Sequence, residues 1–212
     1  MRTRSLLLAV VGVVLLAVML NVKTADSSGD SANISVGVWL VNVEKVDLAA
    51  SSYRLDFYLL FRFDPSEISI DDVKEFEFLN GLPTKYEISA SEEQGYLEYR
   101  VRGDFIKTFD FSRYSYETHS LTIELEHKNL NASFLTYEAD PTSNVDETAS
   151  VAGWEIGDFE TSVVEHSYGN ESYSRFIFSI TLMRPVVSSF IKSVLPIAII
   201  TTISLLTFFI SP

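Results

Sequence analysis

The sequence predicts an all-β antiparallel sandwich of about ten strands, set between two apolar segments. Three observations predict it. The middle of the chain alternates apolar and polar residues with a period of two, turn-forming clusters punctuate that alternation, and charge-free apolar runs stand at both ends. With 212 residues, one domain remains between the apolar ends, large enough to bury a proper core. Cysteine is absent, which excludes a disulfide framework and a thiolate metal site.

The N-terminal element comes first. Arg2 and Arg4 precede residues 5–20, which are apolar and uncharged, the layout of an export signal. Ala25 suits the last position before a cleavage, but Lys23 stands where a small residue is preferred. Residues 1–25 are therefore read as a cleaved signal peptide, with an uncleaved anchor as the alternative. Either places residues 26–184 outside the cytoplasm.

The strands follow. Ile34, Val36, Val38 and Leu40 open the series. Tyr53, Leu55, Phe57, Leu59, Phe61 and Phe63 form the longest alternating face. Leu97, Tyr99 and Val101, then Leu121, Ile123 and Leu125, then Phe176, Phe178, Ile180 and Leu182 form others. Such alternation places one face on a core and the other in water. Asn80-Gly81, Asp140-Pro141 and Tyr168-Gly169-Asn170 supply turns. Antiparallel strands at this spacing suit an immunoglobulin-like sandwich. A short helical turn is expected near residues 71–75. Three sequons, at Asn33, Asn131 and Asn170, are compatible with export.

Residues 185–212 form the last element. Residues 186–210 are apolar apart from Lys192, long enough to span a bilayer, and contain Pro196, which membrane helices tolerate. A transmembrane helix is expected, with a buried core helix as the other reading.

The net charge is −13, and setting aside the three cations of residues 1–25 leaves −16. So acidic a domain repels phosphate backbones, which argues against nucleic acid as a partner. A soluble acidic surface is its simplest meaning. No Gly-x-Ser-x-Gly, phosphate-binding glycine loop or His-Glu-x-x-His occurs, so no enzyme, cofactor or metal is expected. His119 and His127 lack the companions of a zinc site. His119, His127 and His166 in acidic surroundings also allow proton sensing.

One segment carries a family resemblance. In residues 109–121, Asp110, Phe111, Tyr114, Tyr116 and Glu117 fill the places of a pattern that runs aspartate, aromatic, two variable residues, aromatic, proline, phenylalanine, aspartate. Ser115 replaces the proline, and His119 replaces a glutamine two places on. Gly153-Trp154-Glu155-Ile156 is similar to the start of that family's ninth strand. Arg184 followed twelve residues later by Pro196 is similar to its junction with the first membrane helix. Residues 208–212 are similar to the exit of that helix. The chain thus resembles pentameric ligand-gated ion channels, the Cys-loop receptor superfamily, in their prokaryotic cysteine-free form, from about residue 34 to the end. It departs from the family in residues 64–95. Arg62 stands near the place of one tryptophan, Asp72 and Lys74 near that of another, and only Phe78-Leu79-Asn80 follows the pattern. That is not the composition of a conventional aromatic agonist cage.

The resemblance implies a ligand-binding domain of a likewise pentameric channel, with the small-molecule site between subunits under the hairpin of residues 166–175. Tyr168 and Tyr173 would contribute from one side, and Phe61, Arg62 and Phe78 from the other. Arg62 would favour a zwitterion or an acid. It further implies a coupling cluster at the membrane face, in which Arg184 pairs with Glu117 and Asp47 supports it, near Asp110 and Tyr116. A gap beyond roughly 4 Å between the charged groups would count against that pairing. The pore-lining helix is expected to lie outside this sequence. A membrane-anchored sensor or adhesion sandwich, not a channel, is the alternative.

Overall fold

The computed structural model describes residues 31–114 and 116–210. The signal segment assigned to residues 1–25 lies outside the described residues. The order of elements is β1 Ala32–Asp47, β2 Ser52–Phe63, α1 Ile70–Val73, β3 Phe76–Phe78, β4 Thr84–Ser91, β5 Tyr96–Ile106, β6 Thr118–His127, β7 Leu135–Ala139, β8 Asn144–Val145, β9 Glu155–Tyr168, β10 Glu171–Met183 and α2 Val186–Ile210.

Two sheets result. The first runs β4-β5-β2-β1-β7 with β8 also on β1, and the second runs β3-β6-β10-β9. The alternating residues do what their period predicts. Val36, Val38 and Leu40 of β1 and Leu55, Phe57, Leu59 and Phe61 of β2 are buried against Leu121, Ile123 and Leu125 of β6 and Phe176, Phe178 and Ile180 of β10. At one end the core is aromatic. Phe76 lies 4.9 Å from Phe61 and 5.5 Å from Tyr99, and Phe78 meets Phe57 and Phe105 edge-on. Such pairs add to plain area burial because ring edges and faces carry opposite partial charge.

The expectation of a wholly antiparallel sandwich needs correction. β7 and β8 lie parallel to β1, with Ala32 opposite Leu135 and Trp39 opposite Asn144. β6 belongs to the second sheet, so the chain re-enters the first sheet by crossing between layers, and such a crossover permits parallel pairing. The segment around Asp140 also covers the second face of β1. Gly37 is consequently buried, and a Cβ there would meet Leu60 Cδ1 at 2.7 Å and Asp140 Cβ at 3.1 Å.

Polar ties join the layers. The Tyr53 hydroxyl of β2 donates to the Thr122 carbonyl of β6 at 2.5 Å. Asn80 Nδ2 donates to the Tyr53 hydroxyl and the Thr122 carbonyl, while its Oδ1 accepts from Glu124 N. Asn80-Gly81 is thus an inter-sheet clasp where a simple turn was expected. Burial pushes the Tyr53 hydroxyl up to about 12. α1 falls slightly earlier than expected because Ser69 caps it, accepting from Asp72 N at 3.2 Å. β9 and β10 are closed by a two-residue loop whose first position, Gly169, has φ +65°, a conformation that glycine takes without strain.

β10 leads through Arg184 and Pro185 into α2. The segment Ser189–Ile210 is long and apolar enough to cross a membrane, and its apolar window is uncovered by the rest of the described chain. Four hydroxyls along it bond back to the helix: Thr201 to the Ile197 carbonyl, Thr202 to Ala198, Ser204 to Ile200 and Thr207 to Ile203. Pro196 lies inside the helix, and its ring removes the N–H that would bond the Lys192 carbonyl.

Candidate functional site

The antiparallel ladder between β6 and β10 explains why Glu117 and Arg184 meet. It ends with Met183 opposite Thr118, and one further backbone bond, from Arg184 N to the Glu117 carbonyl at 3.1 Å, carries the pairing past both strands. Opposed residues project to the same side. The Glu117 side chain is wholly buried, and its Oε2 lies 3.6 Å from Arg184 Nε and 3.4 Å from His119 Nε2. Its Oε1 has no hydrogen-bond partner among the described residues.

Aromatic rings surround His119, the neighbour of this carboxylate. His119 stands edge-on to Phe109 at 5.0 Å and to Trp154 at 5.3 Å, with Phe111 at 6.5 Å. The Arg184 guanidinium lies 3.9 Å above the Trp154 ring and donates from Nη1 to the Gly153 carbonyl at 3.2 Å. Gly153 has φ +81°, which turns its carbonyl to that donor and suits glycine. A cation on an aromatic face, beside a carboxylate screened from water, interacts more strongly than the same pair in solvent. Trp154 and His119 were absent from the expected site residues. The only sequence signals for them were the Gly-Trp pair and the histidine in the glutamine place.

The other residues expected at this cluster are held elsewhere. Asp47 binds Lys45 Nζ at 2.7 Å and accepts from Ala50 N, and the lysine contact, foremost, holds its carboxyl below the usual range. It therefore closes its own turn. Asp110 accepts from the backbone and hydroxyl of Ser112, which likewise lower its carboxyl. Tyr116 is half-exposed on the loop surface. Pro196 lies three turns of α2 beyond the junction.

The β9–β10 hairpin forms a second candidate. Tyr168, Tyr173 and Glu171 line a cleft of about 240 Å³ together with Glu77, Glu126, His127 and Lys128. Arg175 ties two of these residues together, donating from Nε to Glu126 at 2.7 Å and from Nη2 to the Tyr168 hydroxyl at 2.9 Å. The Tyr168 ring is edge-on to His166 at 4.6 Å and to Tyr173 at 5.9 Å. Tyr173 donates to Glu171, and that bond, foremost, raises its hydroxyl pKa. His127 is locked: Nδ1 accepts from Asn129 N and Leu130 N, and Nε2 lies 2.9 Å from the Asp72 carbonyl. Burial pushes its pKa down.

Two expected ligand residues do not face outward together. Phe61 is fully buried in the chain's own core, because alternation turns it away from its neighbour Arg62. Arg62 is exposed on the opposite face, but it is paired with buried Asp140 and lies near the Thr142 hydroxyl. Phe78 packs on the core aromatics and lines a different, open groove with Asn80, Leu82 and Tyr86. Among the described residues, no group of three or more histidine or acidic side chains is placed to hold a metal. Neither a protein-family model nor a curated protein matches the chain.

Proposed function

We propose that the chain is the ligand-binding domain and first membrane helix of a pentameric ligand-gated ion channel subunit, with an immunoglobulin-like sandwich on the extracytoplasmic side. The observation that carries this reading is the junction. β10 runs from the hairpin cleft to Arg184 and directly into α2, and Arg184 faces a buried carboxylate, Glu117, from the loop between β5 and β6. A strand of 13 residues spans roughly 40 Å, so displacement at Tyr173 reaches the helix through one continuous element, to which Arg175 also ties the Tyr168 hydroxyl.

The ligand of this site is a small organic cation. Arg175 engages Glu126, but Glu77 and Glu171 face a single lysine, Lys128, which is itself paired with Glu75, and tyrosine faces attract ammonium groups. Arg62, engaged by Asp140, no longer argues for an acid.

A membrane-anchored sensor or adhesion sandwich is the second reading. It is favoured by the burial of Phe61 and the pairing of Arg62 with Asp140, which leave the opposite face of an inter-subunit ligand site without two of the residues assigned to it. Native mass spectrometry of the chain in mild detergent separates them. A five-copy assembly is expected, and a stable monomer contradicts the channel reading.

A further inference from the structure

Beside the junction lies a recess of about 550 Å³ lined by Tyr114, Gly153, Arg184, Pro185, Ser189, Lys192 and Ser193. Its charged lining is wholly basic, on a domain whose charge outside residues 1–25 is −16. Ser189, Lys192 and Ser193 share one face of α2, being three and four residues apart. Arg184 overhangs the recess from the end of β10.

Two cations here have spare capacity. The guanidinium carries five N–H donors. Its Nε faces Glu117 and one Nη1 hydrogen goes to Gly153, while Nη2 makes no hydrogen bond among the described residues. Lys192 is exposed and forms no ion pair among the described residues, although it falls inside the apolar segment Ser189–Ile210. An ammonium in a membrane-crossing segment is costly unless it reaches the interface and finds an anion there. Lying only two turns into the helix, Lys192 can extend toward the headgroup layer.

We propose that this recess binds the phosphate of an anionic phospholipid headgroup at the outer bilayer surface, held by Arg184 Nη2 and Lys192 Nζ. Guanidinium and ammonium groups give short, charge-assisted bonds to phosphate oxygens, and basic pockets at membrane depth suit such headgroups. The domain's general acidity repels anionic surfaces, so a local basic site selects one lipid and does not attract the whole leaflet. The assignment rests on α2 crossing a bilayer and is independent of the channel reading.

The test uses the whole chain in detergent, titrated with phosphatidylglycerol or phosphatidylcholine of the same acyl chains and read by native mass spectrometry. The oligomeric mass is read in the same spectra, so lipid selectivity and assembly state are scored separately. Preferential retention of phosphatidylglycerol is expected. Lys192→Gln should weaken it about tenfold, the loss of one charge-assisted bond, and Lys192→Arg should restore it. Lys192 is exposed, so the glutamine variant keeps its fold, which unchanged circular dichroism verifies. A parallel titration with inorganic phosphate separates the sources. Phosphate bound from solution, without discrimination between the two lipids, would overturn the lipid assignment. Equal retention of both lipids, or unchanged retention in Lys192→Gln, would also overturn it.

Discussion

Replacing Arg184 by glutamine removes the cation that faces a carboxylate with no access to water. The Glu117 side chain is fully covered, and its Oε1 already lacks a hydrogen-bond partner among the described residues. Breaking a fully buried pair by removing one partner costs about 3–5 kcal/mol. Two features reduce that figure here: Arg184 retains 28% side-chain exposure, and the 3.6 Å separation is longer than a hydrogen bond. About 2–3 kcal/mol is the resulting loss for Arg184→Gln, or roughly 5–10 °C in Tm for a domain of this size. Glu117→Gln differs, because it removes the buried charge and leaves Arg184 with Gly153, Trp154 and water. Its cost is about 1 kcal/mol. The double variant should therefore be more stable than Arg184→Gln alone. Thermal unfolding of the four proteins in one detergent, followed by near-ultraviolet circular dichroism, reads this directly. If the double variant loses the sum of the two single losses, Glu117 and Arg184 are not energetically coupled and the junction reasoning fails.

Other consequences follow from groups away from the junction. His127 is held neutral by burial, so its folded pKa lies below its unfolded value of 6.5. Its contribution is complete above 6.5 and is lost as pH falls through that value towards the lower folded pKa, with a slope of at most about 1.4 kcal/mol per pH unit. Urea midpoints between about pH 7.5 and 5.5 should fall in the wild type and fall less in His127→Gln; parallel slopes would contradict this. The carboxylates with lowered pKa titrate at more acid pH, outside that window. Arg62→Gln should cost about 1–2 kcal/mol by equilibrium unfolding, because it strips buried Asp140 of its cation while Thr142 N still donates to that carboxylate. No loss of stability would show that the neighbouring hydroxyl and amide suffice.

Much of the fold was legible because burial on one face leaves a period of two. The core faces of β1, β2, β6 and β10 can be read from Ile34 to Leu182 without coordinates. β4 was not legible: every residue of Thr84–Lys85-Tyr86-Glu87-Ile88-Ser89-Ala90 is exposed, so no apolar face marks it. The parallel position of β7 depends on a crossing between sheets, which local pattern does not encode. At the site, the Glu117–Arg184 proximity follows from the end of a ladder, and the resemblance named both residues. Trp154 required knowing which ring lies beneath the guanidinium. Phe61 and Arg62 point to opposite faces of β2, as adjacent strand residues must, so the sequence itself separates them as partners in one ligand site.

The account depends most on a sandwich exported across a membrane and held there by α2. The chain has no cysteine, so one introduced thiol reports its side of the membrane without background. Glu93, exposed in the turn between β4 and β5, is a suitable position for Glu93→Cys. Labelling of intact cells with a membrane-impermeant maleimide should modify this variant fully. Labelling only after the membrane is opened would place the sandwich in the cytoplasm and contradict the account.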